Sequence, residues 1–222
     1  MKRFCIPPQK NGAFVQAMED VLEVYHRPWD PARPQVCLDE TSKQLLAHTR
    51  VPIAARPGRL ARVDDEYERR GTANIFAAVE PLTGWCLVEA TERRTNIDMA
   101  HFLRRISDEA FPGALMIVLV MDNLSIHTLS CLYEAFEPVE ARRLTKRFEV
   151  HYTPRHGSWL NVAEIFLSTL AIQCLDQRID GLRRLRTILT AWKASRSSGR
   201  VTWRFTTAAA RIKLRRLYPS LP

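Results

Sequence analysis

Leu115-Met-Ile-Val-Leu-Val-Met121 is a run of seven apolar residues without a charge, and Asp122 follows it directly. Such a run is typical of a strand that is buried on both faces, as the strands of parallel sheets are. The acid then stands at the carboxyl end of the strand, where open α/β sheets hold their ligands. The stretch therefore predicts an α/β fold and makes Asp122 a candidate site residue.

Asp39 has a similar setting, near the end of the shorter strand-like run Gln35-Val-Cys-Leu-Asp-Glu-Thr41. Strands that are distant in sequence can lie side by side in one sheet, so their final residues can meet at the same edge. We therefore expect Asp39 and Asp122 to converge on one point, although more than eighty residues separate them.

A third acid lies on a helix that is predicted to begin at Ser158 and to be apolar almost all round, as helices inside a core are. Asn161, Glu164 and Ser168 fall at helical spacing and form one polar stripe on it. A carboxylate buried at such a place needs a cation or a metal ion as its partner. No Lys or Arg lies between Ser158 and Gln177, so we interpret Glu164 as a metal ligand.

The order of the remaining patterns predicts a mixed sheet, with antiparallel strands first and parallel strands later. Strands are expected over about 35–41, 73–80, 84–91, 115–121 and 147–152. Helices are expected over about 12–25, 97–110, 128–136, 138–146 and from 158, and one or two basic helices over 180–217. The Pro-, Gly- and Arg-rich stretch 50–72 is predicted to be an extended connector.

The bulk composition restricts the class of protein. A chain of 222 residues with 46% hydrophobic residues can build one domain with a real core. No apolar run approaches the ~20 residues that span a bilayer, and the basic start Met1–Pro8 has no apolar region behind it, so neither a membrane span nor a signal peptide is predicted. Five scattered cysteines without a C-x-x-C pair indicate free thiols in a reducing cytoplasm. Neither they nor the six histidines have a spacing that suggests a zinc site.

The net charge of +9 is concentrated at one end of the chain. Residues 177–222 contain twelve Lys and Arg residues against the single acid Asp180, whereas the rest of the chain is slightly acidic. A segment of one sign is the electrostatic signature of a polyanion partner, usually nucleic acid, although a solvated helical face is the alternative. Trp192, Trp203 and Phe205 lie among these charges and are either stacking platforms for bases or anchors of the helices to the core.

Three blocks of the sequence resemble the catalytic blocks of the DDE transposases, in particular the bacterial insertion-sequence branch of the Tc/mariner superfamily. They are Cys37-Leu-Asp-Glu-Thr-Ser-Lys43, Val120-Met-Asp-Asn-Leu-Ser-Ile-His127 and Tyr152-Thr-Pro-Arg-His-Gly-Ser-Trp-Leu-Asn-Val-Ala-Glu164. The resemblance runs from about residue 5 to the C-terminus. It implies an RNase H-like fold, a five-stranded mixed sheet flanked by helices, here followed by basic C-terminal helices.

The same resemblance divides the chain into residues 1–34 as an N-terminal linker and helix, 35–178 as the catalytic core, and 179–222 as a basic helical extension of the same domain. It also implies an upstream helix-turn-helix region that reads transposon ends, and residues 1–34 do not supply the tandem helices of such a region. We therefore expect a truncated copy, a second reading frame or a separately made catalytic domain.

The resemblance implies that Asp39, Asp122 and Glu164 are the catalytic triad and bind two Mg²⁺ or Mn²⁺ ions, for which carboxylates are suitable ligands. Glu40 is the alternative to Asp39, but it points to the opposite face of its strand and is the weaker candidate. The implied reaction is cleavage of DNA phosphodiesters and strand transfer, without a small-molecule cofactor.

Neighbours of the three acids are candidates for orienting a ligand or contacting a phosphate. They are Asn123, His127, His156, Asn161, Lys43 and Arg155. For the histidines and asparagines the alternative is a helix cap or a hydrogen bond in the core, and for the two cations it is plain solvation.

The expected partners are double-stranded DNA and a second subunit, either an identical copy or a full-length transposase, in the cytoplasm at the nucleoid. Two other functions compete with this one. The chain could be a DNA-binding or transposase-binding remnant with vestigial acids, or an RNase H-like nuclease without a role in transposition.

Overall fold

The computed structural model describes residues 11–196 and 199–220. Five strands form one sheet in the order β3-β2-β1-β4-β5. They are β1 (Gln35–His48), β2 (Tyr67–Glu80), β3 (Trp85–Thr91), β4 (Ile117–Met121) and β5 (Phe148–Tyr152). The first three pair antiparallel, and β4 runs parallel to both β1 and β5. The predicted α/β architecture with a five-stranded mixed sheet is confirmed.

Seven α-helices cover the two faces of the sheet in the described part of the chain. They are α1 (Gly12–Tyr25), α2 (Asn96–Arg105), α3 (Cys131–Ala135), α4 (Pro138–Thr145), α5 (Val162–Leu170), α6 (Leu182–Ser195) and α7 (Thr207–Lys213). Turns of π-helix extend α2 over Ile106–Ala110 and α5 over Ala171–Leu175, and a 3-10 turn, Ser158–Leu160, precedes α5.

The alternation of side chains along β1 separates two hydrophobic cores. Cys37 faces the core that α1, α5, α6 and α7 cover, whereas Val36 and Leu38 face the core that α2, α3 and α4 cover. All five residues of β4 are buried, as its uninterrupted apolar run predicted. Asp39 and Glu40 follow the same alternation, so their side chains leave β1 on opposite faces.

Strands β1 and β2 are longer than predicted, and this changes the position of Asp39. The two strands continue beyond the core as a two-stranded ribbon as far as the pair His48 and Tyr67, with an irregularity between Gln44 and Leu46. The ribbon has few buried side chains, so the apolar sequence pattern that predicts a strand covers only the part of β1 and β2 inside the core. Asp39 therefore lies in the interior of β1 and not near its end, which corrects the sequence prediction.

Helix α5 is buried on one side only, contrary to the prediction of a helix apolar all round. Phe166 and Leu170 pack into the core, whereas Ile165 is 48% exposed and Ile172, in the following turn, is 74% exposed. Ser168 is exposed and Glu164 is half-buried. The helix lies on the surface of the sheet, where a single face suffices for packing.

Helix α1 and the C-terminal segment are built much as the sequence indicated. Asn11 caps α1 by accepting from the backbone N–H groups of Ala13 and Phe14. Trp192 packs against Phe166, with the two ring centroids 5.5 Å apart. Two further aromatic pairs of the C-terminal segment are Tyr25 with Trp203 and Trp159 with Phe205. These aromatic residues therefore anchor the segment to the core and are not free platforms for bases.

Two smaller predictions were wrong, and others lie outside the described residues. The helical spacing over 97–110 predicts that Ile97 packs inward, and the apolar run predicts that Leu115 is buried. Both are exposed, Leu115 because β4 begins only at Ile117. Cys37, Cys86, Cys131 and Cys174 are free thiols. Cys5 and the rest of the N-terminal stretch 1–10 lie outside the described residues. None of the described helices is long and apolar enough to cross a bilayer.

Candidate active site

Asp39 is a nearly buried carboxylate in the interior of β1, with 8% of the residue exposed. Its Oδ1 accepts a hydrogen bond of 2.8 Å from the backbone N–H of Glu40. The side-chain amide of Asn161 lies 3.3 Å from its Oδ2. Burial raises the pKa of Asp39 to about 7, and the nearby carboxylates of Glu40 and Asp122 add to this rise. The surroundings of Asp39 therefore favour a bound cation, which would stabilise its ionised form.

Asn161 attaches the beginning of α5 to β1 beside Asp39. Its Oδ1 caps the helix by accepting from Ala163 N at 3.1 Å, and its Nδ2 donates to the carbonyl oxygen of Leu38 at 2.9 Å. The residue is fully buried. Glu164 lies in the first turn of the same helix, and this double attachment fixes its backbone next to the middle of β1.

Asp122 directly follows β4, which is the parallel neighbour of β1. Its Oδ1 accepts from the backbone N–H of Leu124 at 3.0 Å and lies 2.5 Å from Nδ1 of His127. Burial opposes ionisation of this carboxyl group, but the hydrogen bonds from His127 and Leu124 lower its pKa below the usual value. Asp122 is thus held as a carboxylate.

His127 connects Asp122 with Glu40. Its Nε2 lies 2.7 Å from Oε2 of Glu40, whose other oxygen accepts from Arg94 at 2.8 Å. Carboxylate oxygens only accept, so both ring nitrogens must carry a proton if both contacts are hydrogen bonds. Burial opposes this charge, but Asp122 and Glu40 raise the pKa of His127 to about 9. Charges of alternating sign therefore run from Asp122 to Arg94.

The other predicted neighbours are used in different ways. Asn123 donates from its side chain to the carbonyl oxygen of Thr153 and so joins the ends of β4 and β5. Arg155 and His156 are exposed and line a cavity of about 460 Å³ together with Asn123. Lys43 donates to the carbonyl oxygen of Leu175 at 2.6 Å, so its ammonium group is engaged by the fold.

The donor chemistry of the three acids fits a hard divalent cation, because all three offer carboxylate oxygens. Asp39 and Asp122 come from adjacent parallel strands, and their charges interact. Within residues 11–196 and 199–220, however, no three His, Cys, Asp or Glu side chains are grouped closely enough to hold a metal ion. A metal site that includes half-buried Glu164 therefore requires a rearrangement of side chains.

Sequence reasoning missed the role of Arg94 and gave Glu40 only the role of a substitute for Asp39. Glu40 contacts Arg94, which is 54 residues away in the sequence, and His127, which is 87 residues away. No local pattern carries such a pairing. The only available signal was the alternation along β1, which placed Glu40 on the face opposite to Asp39.

The sheet is of the RNase H-like type, with Asp39 on its central strand β1, Asp122 directly after the adjacent β4, and Glu164 on the helix that follows β5. A family model described as DDE superfamily endonuclease matches residues 34–186, and the chain belongs to this family. No curated protein matches the sequence.

Solved structures of the Mos1 transposase have a similar fold. The paired-end complex with the left transposon end has a TM-score of 0.56 at 16% identity, over 90% of this chain and 60% of that one. The mariner Mos1 paired-end complex with Mg has a TM-score of 0.65 at 15% identity, over 99% of this chain and 67% of that one. The strand transfer complex has a TM-score of 0.57 at 15% identity, over 89% and 59%. The chain thus spans only about three fifths of the length of the first of these structures.

Proposed function

We propose that the chain is the catalytic domain of a transposase of the bacterial insertion-sequence branch of the Tc/mariner superfamily. It cleaves DNA phosphodiesters at transposon ends and transfers the strand to target DNA. The observation that carries this proposal is the convergence of Asp39 and Asp122 on neighbouring parallel strands, with Asn161 attaching the first turn of α5 to the same place. Membership of the DDE superfamily endonucleases supports the reaction class.

In this proposal Asp39, Asp122 and Glu164 hold two Mg²⁺ or Mn²⁺ ions. Such a pair supplies an activated nucleophile and stabilises the leaving oxygen of the phosphodiester. The chain itself contributes position: Asn161 fixes the helix of Glu164 against β1, and His127 holds Asp122 at the end of β4. Solved complexes of Mos1 with Mg and with Mn support the choice of metal.

The proposed partner is double-stranded DNA, bound in part by the basic segment. Residues 35–178 then form the catalytic core, 1–34 a linker and helix, and 179–222 a basic extension of the same domain. The chain would act with a second copy or with a full-length transposase, which supplies the helix-turn-helix, in the cytoplasm at the nucleoid. Mos1 complexes with transposon ends are the analogy for these partners.

The test is nicking of supercoiled plasmid DNA by the full chain in the presence of Mg²⁺ or Mn²⁺. We expect D39N, D122N and E164Q each to abolish nicking while DNA binding persists, because each removes a charge with little change of shape. The matched controls are D176N and E137Q, which alter exposed acids elsewhere and should nick like the wild type. Nicking that survives in all three site variants would refute the assignment.

One observation favours a second function, that of a DNA-binding remnant. The described acids are not grouped to hold a metal, an arrangement that agrees with a chain that binds DNA without cutting it. Binding to duplex DNA with no nicking in either metal, by a chain that is folded, would favour this alternative. Preference for an RNA–DNA hybrid over duplex DNA would instead indicate an RNase H-like nuclease.

A further inference from the structure

The side chains of Asp122, His127, Glu40 and Arg94 form a continuous hydrogen-bonded row that begins at the candidate metal ligand Asp122. His127 lies 2.5 Å from Asp122, Glu40 lies 2.7 Å from His127, and Arg94 lies 2.8 Å from Glu40. The side chains of His127 and Glu40 are 0% and 4% exposed, whereas that of Arg94 is 44% exposed. The row therefore runs through the interior and ends at the surface.

The row acts on one oxygen of Asp122. Oδ1 accepts from Leu124 N and faces Nδ1 of His127, so both of its lone pairs are used within the protein. Oδ2 has neither of these contacts. A cation approaching Asp122 thus meets one oxygen that is already saturated and one that is available.

We propose that His127, supported from behind by Glu40 and Arg94, is a positioning residue that turns Asp122 so that Oδ2 alone is offered to a divalent cation. This inference rests on the proposed function, since it assumes that Asp122 binds the metal. In this proposal Glu40 and Arg94 do not bind the metal. They fix the orientation of the imidazole ring of His127.

Stability alone is a poor reason for this row. Burying several charged groups costs desolvation that their mutual attraction only partly offsets, and well-packed apolar side chains often do as well. The backbone at His127 is also held independently, because Tyr152 donates from its hydroxyl to the carbonyl oxygen of His127 at 2.8 Å. Orientation of the metal ligand Asp122 by a hydrogen-bonded histidine would explain why the row exists. Loss of such support typically weakens metal binding about 10–100-fold.

The experiment measures the Mn²⁺ affinity of the full chain by electron paramagnetic resonance of the free ion. We expect H127A to bind Mn²⁺ about 10–100-fold more weakly than the wild type. H127N should bind more tightly than H127A but more weakly than the wild type, because its amide places a donor near the position of Nδ1 and has no contact with Glu40. H127Q should bind as weakly as H127A, because its amide reaches towards Glu40 and leaves Oδ1 of Asp122 without the donor.

T206A is the structural control, because it removes the cap of α7 and none of the hydrogen bonds of the row. We expect it to lower the midpoint of urea unfolding and to leave the Mn²⁺ affinity unchanged. If H127A fails to fold, the contrast between H127N and H127Q decides, and equal affinities of these two would overturn the inference. An equal loss of affinity in T206A would also overturn it, because the row would then act only through stability.

D122N distinguishes a failure of the proposed metal site from a failure of the positioning role of His127. If D122N weakens Mn²⁺ binding and H127A does not, the positioning role is wrong and the proposed function stands. If D122N binds Mn²⁺ like the wild type, Asp122 is not a metal ligand, and both the proposed metal site and the inference fail.

Discussion

Asn161 shows how much one buried polar side chain can decide. It caps α5, donates to Leu38 of β1 and lies beside Asp39, so one amide serves a helix, a strand and a site. The sequence left open whether this residue supports the site or only caps a helix. In the structure Asn161 caps α5, and the same contacts place it where it can support the site.

We expect N161A to lower the free energy of unfolding by about 2–3 kcal/mol, since it removes a helix cap and leaves the buried carbonyl of Leu38 without this donor. Plasmid nicking should also fall about tenfold, because Glu164 loses its attachment. Urea unfolding and the nicking assay measure the two effects. The control is T206A, which removes only the cap of α7 and should cost about 1 kcal/mol with nicking retained. Equal costs in the two variants would contradict the double role.

Glu149 is the residue whose ionisation should be most visible in stability. It pairs with Arg27 at 2.6 Å and with Arg33. Burial opposes its charge, but hydrogen bonds from Arg27 and His151 and the positive charges nearby lower its pKa to about 2, against 4.5 for an ordinary Glu. A lowered pKa stabilises the folded state above about pH 4.5, and this contribution disappears as the pH falls towards 2.

At pH 7, E149Q should therefore be less stable than the wild type by about 1 kcal/mol, a figure reduced from the full shift because the arginines are partly exposed. The difference should shrink steadily below pH 4.5. Urea unfolding at pH 7, 5 and about 3.5 measures it. E137Q, which removes one carboxylate at an exposed position, controls for the change of net charge. A difference that is constant with pH would mean that packing, not charge, is lost.

At the scale of elements, the connection from β5 to α5 matters most, because it carries the chain from the sheet to Glu164. His156 has a positive φ of 61°, and Gly157 packs directly on Pro154. A Cβ atom at Gly157 would lie 2.5 Å from Cγ and 3.0 Å from the carbonyl oxygen of Pro154. The turn is therefore too tight there for any side chain.

We expect G157A to cost about 2 kcal/mol of unfolding free energy, because the backbone must move to relieve the contact. The displaced turn should also reduce plasmid nicking. G113A is the matched control, since a Cβ at Gly113 meets nothing within 4 Å, and its stability should change by less than about 0.5 kcal/mol. Thermal or urea unfolding of both variants gives the comparison. A neutral G157A would show that the turn can adapt.

At the scale of the whole molecule, the excess of positive charge is only partly available to a partner. Arg211 pairs with Glu19, Arg186 donates to the carbonyl oxygen of Ala90, and Arg178 donates to that of Glu66. Arg183 and Arg184 are exposed on α6 and line an open groove. These two cations are therefore candidates for contacts with a DNA backbone.

R183Q/R184Q should weaken binding to duplex DNA and reduce the slope of log affinity against log salt by about 1.8, which corresponds to two phosphate contacts. Fluorescence anisotropy between about 50 and 200 mM salt measures both quantities. R142Q/K146Q removes the same charge from exposed positions of α4 and its end, across the sheet, and should leave the slope nearly unchanged. Equal slopes in the two double variants would mean that binding follows net charge and not this groove.

The sequence by itself determined the order of the elements, the capped helix α1, the buried strand β4 and the acid at its end. These features follow from local spacing of apolar and capping residues, which reports burial directly. Tertiary structure alone decided that β1 runs past Asp39, that Glu164 is half-buried, and that His127 joins Asp122 to Glu40. These three features depend on which distant segments pack together and on which face of a helix they cover. Local spacing of residue types carries no information about such long-range contacts.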